Sequence, residues 1–243
     1  MDSFDNELKA FEFLAQIAVQ HDLSTACLKI VGSSPALVEN FRTTLLLRSK
    51  FDPEKVKRIS SKFVESIVVQ ARSLEQAEFS LLSGNTLVAL CGGLENLVKE
   101  TVWVKLMENP ALVSKLGEQR AIKVSLEEFL SSGQEERARL IVDRAYRESG
   151  ARHGPYERFL LLLKTVEAVP TEPPKDDRKA IDDAFEVRNA IVHNGSRIDR
   201  RLLVKVGNEE VAIGNPFELH EHDFKRYRTA ILKLASVITF RDL

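Results

Sequence analysis

Polar side chains suited to phosphate chemistry cluster at the end of one predicted helix. The segment Arg188–Gly195 reads Arg-Asn-Ala-Ile-Val-His-Asn-Gly and places an arginine, two amides and a histidine within seven residues. Histidine exchanges a proton near neutral pH, and the planar guanidinium group of arginine binds phosphate through two N–H groups. This set of side chains suits the cleavage or the binding of a phosphodiester, and it requires no metal ligand.

The helical geometry of the segment separates its two charged groups. In an ideal helix Arg188 and His193 project about 140° apart, whereas Asn189 and His193 are neighbours one turn apart. Gly195 is predicted to end the helix in the left-handed conformation, which puts His193 in the last turn, where the helix dipole favours a charged imidazole. We therefore expect that Arg188 reaches around the helix end, that the helix distorts there, or that two copies build one site across an interface.

The chemistry predicted from these residues is internal phosphoester transfer in RNA. A base removes the proton of the ribose 2′-hydroxyl, and the oxygen attacks the adjacent phosphate. Arg188 would stabilise the charge on the non-bridging oxygens, His193 would act as base or acid, and Asn189 and Asn194 would hold the imidazole or the phosphate. Because the nucleophile belongs to the substrate, we expect neither a metal nor a cofactor. The alternative is that Arg188 pairs with a nearby carboxylate and serves packing alone.

The elements that must position these residues are predicted to be helices. Besides the motif helix over 176–194, apolar spacing and start signals predict helices over 4–20, 35–48, 53–72, 75–108, 125–130, 134–147, 155–166 and 224–240. The runs Leu202–Val206 and Glu210–Ile213 flank Gly207-Asn208 and predict a small β-hairpin. The fold class is therefore all-α with a minor hairpin.

The chain is divided by this pattern into an N-terminal helical extension, residues 1–52, and a helical domain, residues 53–243, that contains the motif helix. Gly92 and Gly93 lie within a long apolar helix, where each costs roughly 1 kcal/mol relative to alanine. We interpret them as a place of close helix approach, with a subunit contact as one candidate.

Composition restricts the class of protein. Of the 243 residues 44% are hydrophobic and 29% are charged, which is typical of a soluble globular protein. The net charge of −1 excludes a protein that coats nucleic acid through overall charge, so any RNA contact must use a local patch. Cys27 and Cys91 are too far apart and too few for a disulfide framework, which favours the cytoplasm. No signal peptide and no membrane span are expected.

Two further groups of side chains invite functional interpretation. Arg197, Arg200, Arg201 and Lys205 follow the motif directly, and we interpret this basic run as a contact for the RNA backbone rather than an ordinary solvated loop. The sequence His220-Glu221-His222-Asp223 could suggest a metal site, but helix capping and surface polarity explain it better. No metal site is therefore predicted.

The string Phe185–Gly195, Phe-Glu-Val-Arg-Asn-Ala-Ile-Val-His-Asn-Gly, resembles the signature of the HEPN superfamily, in which an arginine is followed after four to six residues by a histidine. The long upstream helix around Leu87–Val98 is similar to the family helix that packs against the motif helix. The resemblance covers residues 75 to 240. It implies a helical bundle that is usually dimeric and acts as a metal-independent ribonuclease.

Carried over by position, the resemblance implies Arg188 and His193 as the catalytic pair and Asn189 as the accompanying polar residue. Glu95, on the upstream helix, is a weaker candidate that could pair with Arg188. Family members act as toxins and in anti-phage defence, which implies an antitoxin or a defence partner. Toxins controlled by adenylylation carry tyrosine where this chain has Gly195, so that control is not expected. The alternative is an inactive helical module that dimerises or docks a partner.

Overall fold

A computed structural model describes residues 3–33, 36, 40, 43, 53–119, 123–149, 153–168, 175–206 and 212–240. Within those ranges the regular structure is α-helix and no β-strand is present, which confirms the all-α class. The helix predicted over 35–48 lies almost entirely outside the described residues.

The helices in the described ranges agree in most places with the apolar spacing of the sequence. They are α1 (Ser3–Ser33), α2 (Pro53–Gln76), α3 (Ser80–Glu108), α4 (Leu112–Gln119), α5 (Leu126–Ser131), α6 (Gln134–Ser149), α7 (Pro155–Thr165), α8 (Lys175–His193), α9 (Arg200–Val206) and α10 (Glu221–Thr239). Helix α8 is the motif helix, and its bounds differ by one residue at each end from the predicted 176–194.

Helix α3 forms the centre of the core. It packs against α1, α6, α7, α8 and α10, and Leu87, Leu90, Leu94 and Leu97 on it are fully buried. A helix covered on several sides is apolar around much of its circumference. Among the helices of the described ranges, α3 is the one long and apolar enough to cross a membrane. However, 56% of its most apolar 18-residue stretch is buried inside the molecule, as in the core helix of a soluble protein.

The prediction of one continuous helix over 75–108 is wrong at its beginning. Glu78 and Phe79 adopt left-handed backbone conformations, with φ of 50° and 55°, and separate α2 from α3. This turn buries the Phe79 side chain, and the Ser80 hydroxyl oxygen accepts the Leu219 N–H at 2.7 Å. Burial of an aromatic ring offsets the cost of the unusual backbone, which is roughly 1–3 kcal/mol for each residue in a sparsely populated region.

The double glycine of α3 marks a close helix approach, as predicted, and the neighbour is a helix of the same chain. A Cβ atom added at Gly93 would lie 2.6 Å from Leu14 Cδ2 on α1, whereas one added at Gly92 would have nothing within 4 Å. Leu14 is fully buried and belongs to the same core as α3. The division of the chain at residue 52 remains a prediction.

The predicted β-hairpin is wrong over its first strand, because Arg200–Val206 forms helix α9. Asp199 accounts for the difference. Its Oδ1 accepts the Leu202 N–H at 2.8 Å, which caps the first turn of a helix and outweighs the strand preference of Val204 and Val206. Most of the second predicted strand, 210–213, lies outside the described residues.

The segment before α9 pairs with the segment after it over a short antiparallel stretch. Arg197 and Pro216 form an isolated bridge, the Ile198 N–H donates to the Asn215 carbonyl at 2.9 Å, and the Phe217 N–H donates to the Ser196 carbonyl at 2.7 Å. These paired residues lie outside the two segments that were predicted to form the hairpin, and the predicted turn at Gly207-Asn208 lies outside the described residues.

Candidate functional site

Helix α8 is fixed in the core by its apolar face, which presents its polar end to one side of the molecule. Ile181 and Ala184 are fully buried, and the Phe185 ring packs edge-on against Phe159 of α7 at 5.5 Å. A hydrogen bond also joins α8 to α7, because Asp182 Oδ1 accepts the Tyr156 N–H at the beginning of α7 at 3.0 Å. These contacts determine where the last turn of α8 lies.

The end of α8 is the one predicted from Gly195. This glycine has a φ of +59°, a conformation that glycine adopts without a steric penalty. The Asn194 and Ser196 N–H groups both donate to the Ala190 carbonyl, at 3.0 and 3.2 Å, and close the helix. His193 is therefore the last residue of α8.

Arg188 is half-buried and lies on the side of α8 that faces α3. Burial and the charge of Glu95 raise the pKa of the Cys91 thiol on α3, and the charge of Arg188 acts to lower it. The Arg188 Nη1 donates to Asn189 Oδ1 at 2.9 Å, and its Nε is enclosed without a hydrogen-bond partner. Among the described residues Arg188 forms no ion pair, so the predicted packing role with a carboxylate is not seen there.

His193 is exposed and faces a different space. It lines an open cleft of about 410 Å³ together with Glu186, Asn189, Ala190, Asn194, Asp199 and Arg201. Arg188 is not among the lining residues. The monomer therefore does not bring Arg188 and His193 into one cleft, in agreement with their expected separation around the helix. Asn189 connects them, because it accepts from Arg188 and lines the cleft of His193.

Asn194 is engaged in local structure. Its Nδ2 donates to Asp199 Oδ2 at 2.8 Å, while the other oxygen of Asp199 caps α9. The cap N–H of Leu202, aided by Asn194 and Arg201, holds the pKa of Asp199 below its ordinary range against the effect of burial. Asp199 was missed by the sequence analysis, although an aspartate three residues before Leu202 is a recognisable cap signal.

The predicted basic run divides into residues with different surroundings. Arg201 lines the cleft of His193, and Arg200 is exposed at the beginning of α9. Arg197 turns away, because its Nη1 donates to the Gly214 carbonyl at 2.9 Å. The side chain of Lys205 lies outside the described residues. Arg201 is thus the member of the run that the structure places beside His193.

Glu95 lies on the α3 side of Arg188 but is engaged elsewhere. The Tyr146 hydroxyl donates to Glu95 Oε1 at 2.7 Å. Burial, the Glu95 charge and this hydrogen bond all raise the pKa of Tyr146. The Lys99 ammonium group and the Arg158 guanidinium group lie 4.8 and 4.9 Å from the Tyr146 ring centroid, so two cations lie at this cluster. In the described part of the chain Glu95 and Arg188 are not paired, so the predicted pairing is not observed.

The histidines near the beginning of α10 have separate carboxylate neighbours. His220 Nδ1 lies 3.3 Å from Glu78 Oε2, and the His222 side chain is 89% exposed beside Asp223. Among the described residues no group of three or more histidine, cysteine, aspartate or glutamate side chains is arranged to hold a metal ion.

Comparison with known proteins does not add to this geometry: no family model, no curated protein and no solved structure matches the chain.

Proposed function

We propose that this protein is a metal-independent endoribonuclease of the HEPN type, which cleaves RNA by attack of the 2′-hydroxyl. The proposal rests on the motif Arg188–His193 and on one structural observation. Arg188 is held by Asn189, without a carboxylate partner among the described residues, next to an open cleft that contains His193. A guanidinium group that no carboxylate neutralises has N–H groups that suit a phosphate.

The reaction uses groups that the substrate and the protein supply. A base removes the 2′-hydroxyl proton, the 2′-oxygen forms a bond to phosphorus, and the bond from phosphorus to the 5′-oxygen breaks. The leaving oxygen takes a proton, and the products are a 2′,3′-cyclic phosphate and a 5′-hydroxyl. His193 serves as base or acid, and Arg188 stabilises the charge on the non-bridging oxygens.

The separation of Arg188 from the His193 cleft favours a site shared between two copies. In a symmetric dimer each copy presents the same surface to the other, so Arg188 of one protomer would meet His193 of its partner, twice. Asn189 would orient Arg188, and Arg201 with Arg200 would contact the RNA backbone. We further propose that the protein acts as a toxin or anti-phage effector under the control of a partner protein.

The test is RNA cleavage by the purified protein in EDTA, with analysis of the product ends. Arg188→Ala and His193→Ala are each expected to lower cleavage by about 100-fold or more, and the wild-type products should end in 2′,3′-cyclic phosphate. Arg144→Ala and His222→Ala are matched controls, since both side chains are more than a third exposed and neither lines the His193 cleft. They should cleave like the wild type.

Equal background cleavage in all five proteins would contradict the endoribonuclease and favour the second candidate, a helical module that dimerises or docks a partner. Loss of activity on addition of EDTA alone would contradict the metal-independent mechanism.

A further inference from the structure

A second group of chemically capable side chains lies at the junction of α1 with the beginnings of α3 and α10. A cavity of about 190 Å³ opens there, lined among others by His21, Thr25, Lys29 and Ser83. His21, Thr25 and Lys29 follow each other at intervals of four residues, which puts them on one face of α1. None of these residues belongs to the cleft of His193.

Ser83, His21 and Asp22 form a continuous chain of polar contacts at this cavity. Ser83 Oγ lies 3.2 Å from His21 Nε2, and His21 Nδ1 lies 3.4 Å from Asp22 Oδ1. Asp22 is held in turn by Arg228 Nη1 at 2.5 Å. With the imidazole proton on Nδ1, His21 donates to Asp22 and leaves Nε2 free to accept the serine proton. This is the order of contacts that a serine nucleophile, a histidine base and an orienting carboxylate require.

The surroundings keep the imidazole neutral and in place. Burial lowers the pKa of His21 against the opposing effect of Asp22, so the ring is available as a base at neutral pH. The Phe224 ring packs against it with centroids 4.4 Å apart. Burial acts to raise the pKa of Asp22, but the hydrogen bonds and charges of Arg228 and His21 together lower it below its ordinary value. Asp22 therefore remains a carboxylate that can orient His21.

The cavity also offers donors for developing negative charge. The Thr25 Oγ1 is enclosed without a hydrogen-bond partner, and the Lys29 ammonium group lies 5.7 Å from the Phe79 ring centroid at the same cavity. Thr25 and Lys29 line the same cavity as Ser83, and a hydroxyl donor and a cation are groups that stabilise a carbonyl oxygen as it becomes an oxyanion.

We propose that Ser83 is the nucleophile of a second site, which transfers short acyl groups from small esters. The Ser83 oxygen forms a bond to the carbonyl carbon while its proton passes to His21 Nε2. The bond from the carbon to the alcohol oxygen then breaks, and the leaving alcohol takes that proton. Water attacks the acyl-serine in the same manner, with His21 as base, and releases the acid and free Ser83.

The size of the cavity defines the class of acyl group. A cavity of about 190 Å³ suits a small acyl group such as acetyl or propionyl better than a long acyl chain. The charged residues around the mouth have both signs. They are Asp22 and Lys29 on α1, Glu78 before α3, and Glu221, Lys225 and Arg228 on α10. This balance favours an uncharged ester.

The same contacts would also fasten α1 to α3 without any chemistry, so the test must measure the reactivity of Ser83. The full chain is treated with methanesulfonyl fluoride, a probe small enough for the cavity, and the modified peptide is located by mass spectrometry. We expect one adduct, on Ser83, and a matching loss of p-nitrophenyl acetate hydrolysis.

Variants separate reactivity from folding. Ser83→Ala should abolish the adduct, and His21→Gln should slow its formation by about 100-fold while the far-ultraviolet circular dichroism spectrum stays that of the wild type. Ser236→Ala changes a partly exposed serine that donates to the Lys233 carbonyl, and this variant should be modified at Ser83 like the wild type. The rate of modification should rise with pH, with a midpoint below the ordinary His21 value of 6.5.

An unmodified Ser83 in the folded wild-type protein would overturn the proposal, and so would equal rates for the wild type and His21→Gln. Arg188→Ala and His193→Ala should be modified normally at Ser83. Failure of this site and failure of the ribonuclease are therefore distinguishable.

Discussion

The end of α8 and the junction of α1, α3 and α10 use polar residues in opposite ways. At the end of α8, residues five positions apart in sequence face different directions: Arg188 lies towards α3 and His193 lies in an open cleft. At the junction, His21 and Ser83 are 62 positions apart in the sequence, and their side chains lie 3.2 Å apart beside a small cavity. Proximity in the chain therefore does not assemble a site, whereas helix packing can assemble one from distant residues.

The difference has a physical consequence for each region. At the α8 end one chain does not bring Arg188 into the cleft of His193, so the activity proposed for it would depend on a second copy. The junction brings its side chains together in one chain, but Ser83 is only 2% exposed, so its proposed activity depends on how a substrate reaches that hydroxyl. The predictions below test this contrast, beginning with the largest effect.

The largest effect is expected in mixed dimers. Arg188→Ala and His193→Ala protomers are co-expressed with different tags, and the mixed species is purified through both tags. If each site takes Arg188 from one protomer and His193 from its partner, one of the two sites is intact, and about half of the wild-type cleavage rate returns. Each homogeneous variant remains inactive. A mixed dimer without activity would show that the site belongs to one chain. The two regions would then no longer differ in their need for a second copy.

The packing of α1 on α3 should give the next largest effect. Gly93→Val is expected to lower the free energy of unfolding by about 2 kcal/mol, because overpacking against Leu14 forces a shift of α1. Gly92→Val is the matched control, since a Cβ at Gly92 meets nothing within 4 Å. Urea unfolding measures both. Equal losses in the two variants would mean that α1 does not approach α3 at Gly93.

The cap of α9 should contribute about 1 kcal/mol of stability, the usual value for an N-cap. Asp199→Ala removes both the bond to Leu202 and the acceptor of Asn194, whereas Asp199→Asn retains an oxygen for the cap. Thermal unfolding should rank wild type, Asp199→Asn and Asp199→Ala in descending order. Asp199→Ala should also loosen the wall of the His193 cleft, because Asp199 and its hydrogen-bond partner Asn194 both line that cleft.

The contribution of Asp199 should depend on pH with a defined sign. The folded protein holds its pKa below the ordinary 3.8, mainly through the Leu202 N–H, so the unfolded chain takes up the proton first as pH falls. The stability difference between wild type and Asp199→Ala is therefore full above pH 3.8 and decreases as pH falls through the folded pKa. A constant difference from pH 6 to pH 3 would contradict the charged cap.

The smallest effect is the pH response of the α1 junction. The pKa of His21 is lowered from 6.5 by burial, so the unfolded chain binds its proton more readily than the folded chain. Stability from neutral His21 is present above pH 6.5 and is lost as pH falls from 6.5 through the folded value. Urea unfolding between pH 7.5 and 5.5 should show this loss in the wild type and not in His21→Gln. Parallel curves would mean that His21 is not held neutral.

Much of the fold was predictable, because apolar spacing and start signals are local. The motif helix was placed to within one residue at each end, and Gly195 ends it as expected. The errors lie where a competing local or tertiary contact decides the backbone. Asp199 caps α9 where strand-forming valines indicated a hairpin, and burial of Phe79 breaks the helix predicted over 75–108.

The candidate sites divide in the same way. Sequence spacing alone indicated that Arg188 and His193 lie on different sides of α8, because helical geometry fixes the direction of each side chain. It also determined the all-α class, because apolar residues repeat with the helical period over most of the chain. Only the tertiary structure decided that Asn189 links Arg188 to the His193 cleft, that Tyr146 engages Glu95, and that Ser83 meets His21. Those contacts join separate helices or select one side-chain orientation, and packing in three dimensions determines both.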